Sequence, residues 1–320
     1  MSTTFLDLVD LASERLGGAV VAANDEFFAP KDNLIRTEAP IWREGKYTDR
    51  GKWMDGWETR RRRDNGDHDW CIVRLGAAGV VHGVDVDTSW FKGNYPEACA
   101  IDGCDLSGLP TVEELTRTAW HEILPRTALA GDAHNLTAIA SDTAVTHVRL
   151  RIFPDGGVAR LRVHGEVVAD WARLRERGDV DLAAAEHGGV VLACSDMFFG
   201  SRHNLIMPGD AAHMGDGWET KRRRGAGHDW TIIRLGAKGG IRRVEVDTRH
   251  FKGNAPGSCS LDASVDALEW WQLLGRTPLH PHARQTFESE LKDVGDVTHV
   301  RFNIFPDGGV GRLRLYGRPA

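Results

Sequence analysis

Residues 146–163 read THVRLRIFPDGGVARLRV, and residues 298–315 read THVRFNIFPDGGVGRLRL. Around each Pro-Asp-Gly-Gly, polar and apolar residues alternate: His147-Val148-Arg149-Leu150-Arg151-Ile152-Phe153 before the first, Val158-Ala159-Arg160-Leu161-Arg162-Val163 after it. A period of two puts successive side chains on opposite faces of a strand. Proline fixes φ and Asp-Gly-Gly supplies the positive φ of a tight turn, so each stretch predicts a hairpin. Further out, Cys71-Ile72-Val73-Arg74-Leu75 and Val84-Asp85-Val86-Asp87 show the same strand character. Short strands, turn signals at roughly ten-residue spacing and little helix predict an all-β chain of jelly-roll type sandwiches.

The hairpin is one of several motifs that occur twice in the same order. Asp25-Glu26-Phe27-Phe28 with Asn33-Leu34 returns as Asp196-Met197-Phe198-Phe199 with Asn204-Leu205, 171 residues on. Asp55-Gly56-Trp57-Glu58-Thr59 returns as Asp216-Gly217-Trp218-Glu219-Thr220, 161 residues on. His68-Asp69-Trp70 and Phe91-Lys92-Gly93-Asn94 return 160 residues on, and Thr146-His147-Val148-Arg149 returns 152 residues on. The drift places about ten extra residues of the first copy between Asn33 and Asp55, and about eight before Thr146. Two long copies with different loops are an internal duplication rather than a solenoid. We expect a helical segment at 1–19 (Phe5 to Leu16 as a short amphipathic helix), a first sandwich at 20–168, a partly helical linker at 169–187 and a second sandwich at 188–320.

Composition narrows the function. The 320 residues are 41% hydrophobic and 27% charged, ordinary for a soluble globular chain. A net charge of −6 argues against a general nucleic-acid binder, although Arg60-Arg61-Arg62-Arg63 and Lys221-Arg222-Arg223-Arg224 are locally basic. Five cysteines with no CxxC pair point to reduced thiols and, with no basic-apolar leader or membrane-length run, to a cytoplasmic protein.

Taken together, FFAPKDNLI, GKWMDGWETRRRR, HDW, VDTSWFKGNYP and THVRLRIFPDGGVARLRVHG resemble the allantoicase family, over about Asp25 to Gly317 and in both copies. The resemblance implies two jelly-roll domains of the galactose-binding-like type. It also implies a hydrolase acting on C–N bonds of linear amidines, which splits allantoate into ureidoglycolate and urea in purine and allantoin breakdown. Family members are commonly homo-oligomers. No organic cofactor is implied, and a divalent metal ion is left open because no spacing such as HExxH marks ligands. The copies differ at Trp90, where the second has His250, and at Tyr95, where it has Ala255.

The implied substrate is a carboxylate whose central carbon bears two ureido groups. Arginine is suited to hold that carboxylate in a bidentate way. On an extended segment only Arg60 with Arg62, or Arg61 with Arg63, face one side. We expect Arg61 and Arg63, with Arg222 and Arg224 in the second copy. Glu58 and Asp55, and likewise Glu219 and Asp216, are candidates for a base or for orienting the arginines, with Asp-Gly alternatively a plain turn. His68 with Asp69, and His228 with Asp229, are the acid–base candidates, since histidine titrates near working pH. Neighbours on a strand point apart, so a strand-opening cap is the alternative. Asp87, Lys92 and Asn94, with Asp247, Lys252 and Asn254, sit on a strand end and the following loop, where sandwiches carry sites. His147 and His299 lie within strands and read as structural. Without the resemblance, Trp42, Trp53, Trp57, Trp90 and Trp218 would suggest stacking platforms of a carbohydrate- or anion-binding protein.

Overall fold

The computed structural model describes residues 4–320 and separates into two units, one over Thr4–Val168 and one over Ala169–Ala320. Each is a β-sandwich of the same topology, so the chain is all-β with two jelly-roll repeats. In the first unit the main strands are β1 (Ala19–Ala23), β2 (Asp69–Asp87), β3 (Ala98–Cys104), β4 (His121–Ala128), β5 (His134–Ala138), β6 (Ala144–Phe153) and β7 (Arg160–Val167). The second unit repeats them as β8 (Val190–Cys194), β9 (Asp229–Asp247), β10 (Ser258–Ser264), β11 (Trp271–Pro278), β12 (Arg284–Phe287), β13 (Asp296–Phe305) and β14 (Arg312–Pro319).

The organising element is β2, nineteen residues long. Its first half pairs with β1 and β6, its second half with β5 and β7, so one strand serves both faces of the sandwich. The change of partners falls at Gly76-Ala77-Ala78-Gly79. A Cβ on Gly76 would lie 2.5 Å from the Leu16 carbonyl oxygen, and on its counterpart Gly236 only 2.0 Å from that of His187. Glycine is needed there so that backbones can meet. Val84, Val86, Val148, Leu150, Leu161 and Val163, from β2, β6 and β7, are essentially unexposed. Each such side chain contributes about 1.5–3 kcal/mol relative to exposure.

The predicted hairpin is not one. β6 and β7 never pair with each other; both pair with β2, at opposite ends of it. Pro154–Gly157 therefore crosses from one face to the other. The reason is local: Gly157-Val158 pairs instead with Trp57-Glu58, and Gly157 lies so close to the Phe91 ring that a Cβ would sit 1.9 Å from it. A turn free to fold back on itself is used to dock three loops.

The N-terminal helical expectation also needs correction. Phe5 to Leu16 is not an amphipathic helix but two 3₁₀ turns, Phe5–Asp7 and Glu14–Leu16, around a short strand, Val9–Asp10, that pairs with β7. The Asp10 carboxylate accepts the amides of Val163 (2.9 Å) and Ala12 (3.1 Å), which ties this stretch into the first sandwich. The linker is partly helical as expected, with an α-helix at Trp171–Glu176 and a 3₁₀ turn at Ala185–His187. Between them Val180–Asp181 pairs with β14, and Asp181 accepts the Leu315 amide at 2.9 Å, as Asp10 does in the first copy. The sandwiches thus begin near residues 9 and 180, earlier than 20 and 188.

Candidate active site

The two ends of the bent β2 and its crossover loop meet at one rim of the first sandwich, and the repeated polar motifs gather there. Trp57 is unexposed, with its indole N–H donating to the Asp25 carbonyl at 2.8 Å; Trp218 does the same to Asp196 at 2.8 Å. These two indoles are core anchors, not stacking platforms. Strand alternation then turns Glu58 outward and Thr59 inward, where Thr59 N–H reaches the Gly156 carbonyl at 3.1 Å.

Along the arginine run every second side chain is paired. Arg60 binds Asp25 (Nε to Oδ2, 2.7 Å), and Arg62 binds Asp69 (2.5 Å), Asp64 (2.8 Å) and the His68 carbonyl (2.6 Å). The amide of Arg62 is held by Asp155 of the crossover loop at 2.8 Å. Arg61 and Arg63 are exposed and make no ion pair among the described residues. The second copy repeats this: Lys221 pairs with Asp196 (3.3 Å), Arg223 with Asp229, and Asp307 accepts the Arg223 amide at 2.8 Å, leaving Arg222 and Arg224 exposed.

Glu58 stands where two hollows of the first repeat join. One, about 1290 Å³, is bordered by Arg61, Arg63, Tyr95 and Asp155; the other, about 590 Å³, by Trp42, Lys52, Met54, Trp90 and Lys92. Glu58, Phe28, Gly93 and Asn94 line both. The Asn94 amide donates to Glu58 Oε1 at 2.8 Å. Burial nonetheless pushes the Glu58 carboxyl above the usual glutamate range, the Asn94 bond opposing it. Trp42 stacks on Trp90 with ring centroids 5.9 Å apart, and the Lys52 ammonium sits 4.1 Å from the Trp42 ring centre. Trp90 has φ +71°, held by its N–H on Asp132 (2.7 Å) and its indole N–H on the Pro40 carbonyl (2.9 Å).

Most of the remaining expected residues are held by partners of their own. His68 Nδ1 meets Asp67 at 2.5 Å and its ring rests 5.4 Å from Phe153, while Asp69 points to Arg62 and, at 2.7 Å, to Asn24. The pair diverges, and His68 does not border the cleft. His228 likewise turns to Asn303 (3.2 Å) and Phe305. Asp55 is buried on Arg160 (3.0 Å), and the half-buried Asp216 pairs in the same way with the buried Arg312 (3.1 Å). Asp87 is buried, accepts the Ser89 amide at 2.8 Å and faces a separate hollow with Asp85 and His134, while Asp247 is taken by Arg249 and Arg284. Lys92, exposed, lies 3.6 Å from Asp132, and Lys252 is exposed. In the second repeat Asn254 donates to Glu219 at 2.6 Å. His147 is buried against the Thr146 hydroxyl (2.9 Å), its pKa lowered by burial.

Sequence reasoning missed Asp25 and Asp155 as the partners that sort the arginines, although both lie in repeated motifs. The five cysteines are free thiols, and burial pushes Cys99 and Cys259 up to about 12, far from a working nucleophile. Among the described residues no three His, Cys, Asp or Glu side chains converge on a point that fits a metal ion.

Fold and cleft together define a duplicated jelly-roll protein whose first repeat carries two unpaired arginines and a half-buried carboxyl group at one rim. The allantoicase repeat model matches residues 9–168 and 180–320. A probable allantoicase of Pseudomonas paraeruginosa is 50% identical, with 98% of this chain and 97% of that protein aligned; one of Photobacterium profundum is 49% identical over the same shares. The crystal structure of allantoicase from Saccharomyces cerevisiae superposes with a TM-score of 0.85 at 36% identity, covering 97% of this chain and 92% of that one. The chain belongs to the allantoicase family.

Proposed function

We propose that this enzyme hydrolyses allantoate to ureidoglycolate and urea in the cleft of the first repeat, with Glu58 as the group that moves the proton. The observation that carries the assignment is the position of Glu58: a carboxyl whose pKa burial raises, at the junction of a cationic and an aromatic hollow. Arg61 and Arg63 hold the substrate carboxylate as charge-assisted donors. The ureido groups lie towards Asn94, Lys92 and the Trp42–Trp90 pair.

The bond to break joins the central carbon to a ureido nitrogen. Protonated Glu58 delivers its proton to that nitrogen as the C–N bond cleaves and urea leaves with the bonding pair. The remaining ureido nitrogen feeds electrons to the central carbon. Water then adds there, and the Glu58 carboxylate takes the water proton, which restores the acid and leaves the hydroxyl of ureidoglycolate. One residue thus serves as acid and then base. His68 and Asp69 act outside this sequence, through the Arg62 scaffold.

Urea release from allantoate is the test. Glu58→Gln is expected to lower kcat by roughly 10²–10⁴-fold. Arg61→Ala is expected to act mainly on KM, weakening binding by about 1.5–3 kcal/mol. Full turnover by Glu58→Gln would remove Glu58 from the chemistry. The partner is a small molecule, and no helix of the described residues is long and apolar enough to cross a membrane. The family resemblance supports a homo-oligomer, and the free thiols support a cytoplasmic setting; sedimentation and fractionation test these.

A further inference from the structure

We infer that turnover is confined to the first repeat, and that the matching face of the second repeat is a site that binds α-ureido carboxylates without cleaving them. The inference rests on the Glu58 assignment above and extends it to the other copy. The anion-holding parts are the same in both. Arg222 and Arg224 are exposed and unpaired among the described residues, like Arg61 and Arg63, while the equivalent acidic partners take their neighbours. Glu219 is tied to Asn254 as Glu58 is to Asn94. A carboxylate that docks on one pair of arginines has equivalent donors on the other.

The wall of the cleft is what differs. Trp42, Lys52 and Met54 lie in the stretch where the first copy carries its ten extra residues, and they close the smaller hollow beside Glu58. The second copy has no such stretch. Its Phe198 and Phe199 are 71% and 62% exposed, whereas Phe28 lines the hollow in the first copy and lies 3.5 Å from a Cβ placed on Gly51. Trp90 is replaced by His250, which keeps the same anchoring, its Nε2 2.9 Å from the Ala211 carbonyl oxygen as the Trp90 indole N–H is from that of Pro40, but brings a smaller ring with no counterpart of Trp42 to stack on. Proton transfer to a leaving nitrogen needs the ureido group fixed against the carboxyl as well as the carboxylate bound, and an open face with two arginines supplies only the second. Binding needs only the arginines.

Two measurements on the full-length chain decide the matter. In steady-state urea release, Glu219→Gln and the Arg222→Ala/Arg224→Ala double variant are expected to keep kcat within two-fold, while Glu58→Gln loses at least a hundred-fold. Calorimetric titration of Glu58→Gln with allantoate is expected to show two sites per chain, falling to one when Arg222 and Arg224 are also replaced by alanine. A loss of kcat in Glu219→Gln equal to that in Glu58→Gln would overturn the confinement, and one site per chain in Glu58→Gln would overturn the second binding face. Wild-type turnover by Glu58→Gln would instead strike the Glu58 assignment itself. All the arginine substitutions are on the surface, so their folding is not at issue.

Discussion

Two carboxylates three residues apart are put to opposite uses. Asp55 is sealed against Arg160, a guanidinium only 2% exposed that also donates to the carbonyls of Glu38, Asp55 and Ala159. Asp55→Asn leaves that cation buried without its counter-ion, which is expected to lower stability by about 3–5 kcal/mol in urea denaturation. Glu58, by contrast, has a raised pKa. A raised carboxyl pKa contributes stability that is full below the unfolded value and is lost as pH rises through the folded one. Glu58→Gln removes that loss. Its Tm is therefore expected to exceed that of the wild type at pH 7 and to match it near pH 4, while its activity falls. Thermal melts at the two pH values check the sign, and a lower Tm at pH 7 would mean that the carboxylate is stabilised after all.

The crossover loop shows what periodicity can and cannot reveal about elements. The alternation in Thr146–Val163 identified both strands correctly, because alternation is a property of the strand alone. Pairing depends on a third strand some seventy residues earlier in the chain, which no local pattern contains, and so the hairpin was misassigned. Along the arginine run, alternation offered Arg60 with Arg62 or Arg61 with Arg63 without choosing between them, and the acidic partners of Arg60 and Arg62, which leave Arg61 and Arg63 unpaired, lie far from the run in sequence or on its other side. His68 and Asp69 diverge as strand neighbours do, the arrangement of the strand-opening alternative. Gly157→Ala tests the loop as a dock. Its Cβ would meet the Phe91 ring at 1.9 Å, so overpacking of about 1–3 kcal/mol is expected. A larger fall in kcat than in Arg162→Ala, a β7 substitution away from the cleft lining, should accompany it, since the loop also seats Trp57-Glu58 and Asn94.

For the whole molecule, the duplication was the most legible feature, since five motifs in order demand a repeated scaffold whatever that scaffold is. The asymmetry was legible only as a length difference. That the extra residues build an aromatic wall follows from where Trp42 and Trp90 come together, and they stand 48 positions apart in the chain. Each sandwich carries its own copy of the buried brace, Asp55 on Arg160 in one and Asp216 on Arg312 in the other, inside separate units. Asp55→Asn and Asp216→Asn should therefore destabilise different cores. In hydrogen exchange, Asp55→Asn is expected to reduce protection in β2, β6 and β7 while leaving β9, β13 and β14 unchanged, with Asp216→Asn doing the reverse. The effects of the double variant should add to within about 0.5 kcal/mol, as for independent sites. Coupling of more than about 1 kcal/mol would show that the repeats fold as one cooperative body, and the second repeat would then support the catalytic one through stability as well as through the ligand it binds.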